Sequence, residues 1–546
     1  MPGIIVKTDL ESAGGQNRIS LDFLAHPFRG IPTCLPGVSR SEALWLDATR
    51  RVETASRDED REAWNEVVED IVSLSSRLGT RADVIDKVRA AGRREAFFVV
   101  TGQQPGALGG PLLTLYKTYT AVVAAEILEA ITSRPFVPLY WCGADDTDFQ
   151  EIRGLALLTK GSTPISTTIP QQAHRPGLPG GDIALEWLEQ VWRNVLSFIL
   201  EFENGAFVAR TVDDAFLRSR DHGEHAAAVL VGLTQGALAV VDGRSPAVRR
   251  DAQPLILNYV REEDDVKELI AQEGKRLERS GYHAQLALGE DSGIFLVENG
   301  VRKNVTRELR PMLLDAVANA VERCSPGVVA RNLVQDAVLK PTAVVLGPAE
   351  IAYRAQMSGL YGRFGVPMPI PLPRLTATLV PPTLADLIEH AGVSMVETML
   401  REPPEFVRWI YERSLPSALR DAARELEMRV IEAVDSYSSA VEAGAPPKVV
   451  SRVKSRLSDL KSRTALVATS TSDVGKAIAL ERWPFLSDFA SLVKAGGKPQ
   501  ERTLSALVPF LFGGAPAARD LHRIATGHVD DLLDGRTSHI VYSPSL

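Results

Sequence analysis

Four carboxylates, Asp145, Asp146, Asp148 and Glu151, fall within seven residues of one another. Carboxylates that close repel, which raises the pKa of at least one unless a cation or a substrate ammonium compensates. The cluster therefore suits a general base, an ammonium site or Mg²⁺ binding. Upstream runs Thr101-Gly102-Gln103-Gln104, then Gly106, Gly109, Gly110 and Pro111, with Lys117 following. Proline suits the first turn of a helix, whose unpaired N–H groups and positive dipole end attract an anion. A phosphate or a carboxylate fits there, with Lys117 beside it. The loop is neither GxxxxGK(S/T) nor GxGxxG, which disfavours a P-loop NTPase.

The flanking residues predict the elements that would hold these groups. Residues 96–100 form an apolar run of strand length, and Leu112, Leu115, Tyr119, Val122, Val123 and Ile127 recur at helical spacing. Residues 136–141 form a second strand that runs into the acidic cluster. In a parallel βαβ unit ligands bind at the carboxyl ends of strands, so the glycine loop and the carboxylates should face one crevice. Apart, a glycine turn reads as a tight turn and a carboxylate run as a solvated loop; their adjacency favours a site.

A second dense stretch repeats the layout. Residues 342–346 are β-branched and apolar, and Gly347-Pro348-Ala349-Glu350 turns that strand into a helix bearing Tyr353 and Gln356. Arg331, Gln335, Glu350 and Arg374 sit in apolar surroundings, where polar groups need partners. Pairing with one another and lining a site are both open to them.

At 546 residues, with 45% hydrophobic and 24% charged residues, the chain predicts a globular protein of two or three units. It shows no apolar run long enough to span a bilayer and no secretory signal, which predicts a cytoplasmic protein with no membrane partner. Three scattered cysteines argue against a disulfide framework, and a net charge of −8 argues against nucleic acid as a partner. Residues up to about 36 read as extended structure and turns, 41–79 as two helices and 81–91 as a continuation. Residues 154–168 read as strands, 187–202 as a helix, and a further helix begins after Asp213 and reaches Thr234. A strand at 237–241 ends in Asp242, and 285–288 with 294–298 suggest a hairpin. His222 and His225 in DHGEH read as an exposed polar turn rather than metal ligands. Beyond residue 381, apolar positions spaced alternately by three and four on both sides of 444–447 predict an antiparallel helical hairpin or coiled coil, with leftover apolar positions that could pair two chains.

TGQQPGALGGPLLTLYK, WCGADDTDF, SPGVVARNLVQDAVL, LGPAEIAYRAQ, FGVPMPIPLPR, PQER and the terminal HIVY resemble, in that order, the bacillithiol synthase family of cysteine ligases, BshC. The resemblance implies an α/β fold: a Rossmann-like parallel-sheet core with inserted connecting segments, plus an α-helical antiparallel coiled-coil domain that dimerises. The expected division is a core at 1–380 with insertions at about 154–235 and 254–300, a helical domain at 381–495, and a segment at 496–546 returning to the core with 539–542 as an edge strand. The implied reaction adds L-cysteine to the amine of glucosaminyl malate; ATP, ADP and Mg²⁺ stay open as participants. The candidate catalytic residues are Asp146, Asp148 and Lys117. Candidate substrate- or nucleotide-binding residues are Thr101, Gly102, Gln103, Gln104, Gly110, Asp145, Gln335, Gly347, Glu350, Tyr353 and Arg374, and no metal ligands are assigned. The chain departs from the family in two places: the usual Ser-Pro-Asn-Val and Arg-Pro elements are Ser325-Pro326-Gly327-Val328 and Arg331-Asn332, and the acidic motif has changed. The usual Glu-Asp-His-Asp-Phe is Asp145-Asp146-Thr147-Asp148-Phe149, and a hydroxyl cannot replace a histidine in proton transfer near neutral pH. The alternative is therefore a catalytically impaired relative that binds a nucleotide or a thiol precursor.

Overall fold

The computed structural model describes residues 4–8, 18–27, 29–31, 34–56, 61–161, 163–289, 291–382, 403–484, 486, 492 and 498–544. It divides into two compact units, one of Met1–Lys160, Ile165–Ala385 and Lys498–Leu546, the other of Gly161–Pro164 and Asp386–Gly497. The described strands are β1 Ile4–Thr8, β2 Phe97–Gln103, β3 Phe136–Cys142, β4 Gly154–Leu158, β5 Pro164–Thr168, β6 Ala239–Asp242, β7 Ile294–Glu298, β8 Val301–Asn304, β9 Cys324–Pro326, β10 Ala343–Leu346, β11 Ile370–Pro373, β12 Ala377–Leu379 and β13 His539–Tyr542.

The first unit is built on a five-stranded parallel sheet in the order β11-β10-β2-β3-β6. All seven residues of β3 and the first five of β2 are buried. Strands covered on both faces need this unbroken apolar character rather than an alternating pattern. Helix Leu112–Thr132 makes the crossover between β2 and β3, and its residues 112–125 are all buried, as expected of a helix apolar around its circumference. The chain steps outward through β2, β3 and β6, returns to β10 on the other side of β2, and leaves through β11. The direction reverses between β2 and β10, so the crevice beyond their carboxyl ends is the expected ligand position.

Several local expectations are corrected. The hairpin is β7 with β8, not 285–288 with 294–298. Its two-residue loop is Asn299 and Gly300, both at positive φ (52° and 72°), as such loops require. β13 is the centre of a separate three-stranded sheet, β1-β13-β12, not an edge strand of the core. Residues 205–233 form two helices, Gly205–Arg218 and His222–Leu233, and a helix at Arg18–Ala25 falls in the segment read as extended.

In the second unit, helices Ser417–Gly444 and Pro447–Arg482 run antiparallel. Glu442 pairs with Lys454 at 2.7 Å and Asp435 with Lys461 at 2.5 Å, receding evenly from the connecting turn. Val434 is the buried residue described in the first of these helices, whereas Leu426, Tyr437 and Leu466 are exposed.

Candidate functional site

Beyond the carboxyl ends of β2, β3, β10 and β11 lies a cavity of about 320 Å³. Gly102, Gln103 and Gln104 come from β2 and its exit, Gly143 follows β3, Gly347 follows β10 and Arg374 follows β11. Two helices begin at its wall, Val328–Leu339 with Val328 and Arg331, and Pro348–Gln356 with Pro348, Ala349, Glu350 and Tyr353. Their N-terminal ends add positive potential to the cavity.

Lys117 is 2% exposed and its ammonium is saturated. Nζ donates to Gly102 O at 2.8 Å and Gln103 Oε1 at 2.9 Å, and pairs with Glu350 Oε2 at 2.6 Å. Burial pushes the Lys117 pKa down, and Glu350 opposes that shift. Burial alone would raise Glu350, but Lys117 and the Gly347 N–H, donating at 2.6 Å, hold it below the usual carboxylate range. Gln103 extends the chain, since its Nε2 donates to Glu151 Oε1 at 3.2 Å. Its amide thus has one orientation that serves both neighbours.

The acidic turn separates into three roles. Asp146 lines the cavity and accepts from Gln104 Nε2 at 2.8 Å and its neighbour Thr147 N–H at 2.7 Å. Glu151 lines the exposed rim of the cavity; reduced hydration there, then Asp148 and Asp146, push its pKa above the usual range. The expected repulsion within the cluster thus appears on Glu151. Asp145 is buried and turned away, accepting from Arg249 at 2.8 Å and Ser325 Oγ at 3.0 Å. Burial would raise its pKa, but Arg249, Arg302, Arg331 and Ser325 bring it below the usual value.

Three more cations, Arg374, Arg331 and the exposed Arg502, complete the lining. Arg374 is fully engaged, forming a bidentate pair with Glu501 and donating to Leu375 O at 2.8 Å. Arg331 is half-buried, and its guanidinium has no hydrogen bond or ion pair to any described residue. Arg502 was not anticipated, and Arg331 and Glu151 were singled out in the sequence without being assigned to catalysis or substrate binding. Arg331 and Glu151 carry the visible signals of a charge amid apolar residues and membership of the acidic run.

Other candidates fall outside the lining. Asp148 caps the short helix Phe149–Ile152, accepting from Glu151 N–H at 3.1 Å, so its carboxylate serves the backbone. Thr101 lies within the sheet, its Oγ1 donating to Val345 O at 3.3 Å, and buried Gln335 donates to Asp336 at 3.0 Å. Gly110 accepts from Ala506 N–H at 2.8 Å, and a Cβ on Gly106 would come 2.5 Å from its Cα. The glycine loop packs against protein, and Leu112 N–H at the helix start is taken by Leu504 O at 2.7 Å. The anion position expected at that helix start is therefore closed there, and the opening lies at the helices starting at Val328 and Pro348. His222 and His225 are not in an exposed turn either. Asp221 caps their helix, both rings are fully buried, and burial lowers their pKa values to about 4 and about 3. Among the described residues no group of three or more His, Cys, Asp or Glu is placed to hold a metal ion.

A family model described as "Bacillithiol biosynthesis BshC, N-terminal Rossmann-like domain" matches residues 45–375. The chain belongs to the BshC family. Curated relatives named "Putative cysteine ligase BshC" include one from Heliobacterium modesticaldum, 28% identical over 344 residues covering 60% of this chain and 63% of the relative. A second, from Solibacter usitatus, is 30% identical over 357 residues, 64% of this chain and 67% of the relative. A third, from Koribacter versatilis, is 26% identical over 519 residues, 90% of this chain and 92% of the relative. The chain thus spans less than two thirds of the Heliobacterium relative in that match. The BshC match takes in all five strands of the central sheet and every cavity residue named above except Arg502. No helix among the described residues is long and apolar enough to cross a membrane.

Proposed function

We propose that this protein is a cytoplasmic ligase that joins the carboxyl group of L-cysteine to the amine of glucosaminyl malate, forming an amide bond in bacillithiol biosynthesis. The observation that carries the reading is a single cavity at the sheet's switch point holding an unpaired guanidinium, Arg331, and a carboxylate of raised pKa, Glu151. A substrate bearing both carboxylates and an amine needs both kinds of group.

Amide formation requires the cysteine carboxylate to be activated first, as an acyl phosphate or an adenylate, with ATP as the phosphoryl or adenylyl donor. The amine then attacks the acyl carbon, the C–N bond forms, and the bond to phosphate or AMP breaks. The amine must be neutral to attack, so its proton has to leave. Glu151 is suited to receive it, because a carboxylate with a raised pKa is a stronger base than an ordinary one. Asp146, on the same wall, helps to hold the ammonium form before deprotonation. Lys117 acts through Gln103 as a positioning residue for Glu151.

The exposed Leu426, Tyr437 and Leu466 on the helical hairpin support a homodimer formed through that hairpin. Thr147, where the family motif carries histidine, motivates a second reading in which the cavity binds the thiol precursor without turnover. Purified protein with cysteine and glucosaminyl malate, with and without ATP and Mg²⁺, should yield the thiol product by mass spectrometry. Absence of product from folded protein would favour the second reading.

A further inference from the structure

The cavity carries Lys117, Arg331, Arg374 and Arg502 against Asp146, Glu151 and Glu350. Lys117 is saturated by Glu350 and two carbonyl oxygens, and Arg374 is held by Glu501. That leaves Arg331 as the half-buried cation of the lining with no partner among the described residues. A guanidinium withdrawn from water without an acceptor is unfavourable, and its planar fork matches a carboxylate in bidentate fashion. Its position reinforces this. Arg331 lies in the first turn of Val328–Leu339, where the helix dipole also favours an anion. Gly143 stands beside it, at the end of β3 and within van der Waals reach of the guanidinium.

We infer that Arg331 is a specificity-determining residue that receives a carboxylate of a malate-type dicarboxylate. The identity of that ligand rests on the ligase reading above. A carboxylate suits the site better than a polyphosphate. The lining is of mixed sign, and two of its four cations are already neutralised by glutamates, so a highly charged anion would meet only Arg331 and Arg502 against the carboxylates Asp146 and Glu151. At about 320 Å³ the cavity is also near the lower end, about 300 Å³, of small-molecule sites, which suits one metabolite-sized ligand.

The test is calorimetric titration of full-length wild type, Arg331→Gln and Arg331→Lys with malate, its neutral diamide and inorganic phosphate. Wild type should bind malate and reject the diamide. Arg331→Gln should lose malate affinity by about tenfold or more, the order expected for losing hydrogen bonds to a charged group, together with the discrimination against the diamide. Arg331→Lys, which keeps the charge but not the fork, should fall between. Unchanged malate affinity in a folded Arg331→Gln, no malate binding by wild type, or a loss confined to phosphate would each overturn the inference. If Arg331→Gln does not fold, the Arg331→Lys affinity and the wild-type preference for malate over the diamide decide. Product formation by wild type is assayed separately. Product together with Arg331-independent malate binding sinks this inference alone, and Arg331-dependent binding without product sinks the ligase reading alone.

Discussion

Lys117 Nζ lies 2.6 Å from Glu350 Oε2, joining the helix that leaves β2 to the helix that leaves β10 across the point where the sheet reverses direction. The pair belongs at once to the packing of two crossover helices and to the floor of the cavity. Because Lys117 is 2% exposed, removing Glu350 would leave a buried, uncompensated ammonium, whereas Glu350, 23% exposed, would face the cavity and keep the Gly347 N–H if Lys117 were removed.

Glu350→Gln, which leaves Lys117 buried without its counter-charge, should therefore destabilise the protein by about 3–5 kcal/mol, the range for breaking a buried pair, and Lys117→Met should cost less. The double variant Lys117→Met/Glu350→Gln should be more stable than the sum of its single changes, by about 0.5–3 kcal/mol of coupling. Urea unfolding of the four proteins measures this, and strictly additive losses would show that the two groups do not act as a pair.

Glu151→Gln should separate stability from turnover. A carboxyl group whose folded pKa is raised above its unfolded value makes ionisation unfavourable in the fold. That penalty is present above the folded pKa and vanishes below the unfolded value of about 4.3. The variant should melt higher than wild type near neutral pH and identically below about pH 4, while product formation is lost. A lower melting temperature at neutral pH would show that Glu151 is structural. In wild type, kcat should fall as pH drops through the raised Glu151 pKa.

The central sheet was readable because its strands are contiguous apolar runs, and burial on both faces leaves nothing else to encode. The convergence of Gly102, Gln103, Gln104, Lys117, Asp146, Gly347, Glu350, Tyr353 and Arg374 on one cavity follows from strand ends followed by glycine turns. Partner choice was not readable. Glu501 reaches Arg374 from 127 residues away, and β13 is central because β1 and β12, remote in sequence, flank it. Spacing along the chain carries no trace of such long-range pairings. Asn299-Gly300, by contrast, is a local signal that outweighs the weak strand character of 285–288.

Asp145 should behave as a structural anchor. Its pKa is held down, so it contributes stability above the ordinary carboxylate value of about 3.9 that is lost as pH falls through the folded pKa. Asp145→Asn keeps the shape but leaves Arg249 buried without a counter-charge, and should cost about 3–5 kcal/mol at neutral pH. The difference from wild type should shrink on acidification. A pH-independent difference would mean that the ion pair contributes little.

The helical hairpin should hold two chains together. Leu426→Glu combined with Leu466→Glu, at positions 45% and 67% exposed in one chain, should convert a dimer to a monomer by light scattering while leaving helix content intact. A wild-type protein already monomeric at micromolar concentration would refute dimerisation.

Thr147→His tests which group takes the proton. Thr147 N–H supports Asp146, and its carbonyl accepts from Phe149 N–H at 2.9 Å, so its backbone shapes the acidic turn whatever its side chain. If Glu151 is the base, Thr147→His should change kcat little, while Glu151→Gln should lower it by about 10²–10⁴-fold, the span of general-base contributions. If the function awaits the imidazole that the family motif carries, the pattern inverts: wild type gives no thiol product, Thr147→His gives a clear one, and its pH profile acquires a limb near the imidazole pKa of about 6.5. The geometry favours the first outcome, because Glu151 faces the cavity and is tied through Gln103 to Lys117, whereas Thr147 is not among the residues that line it.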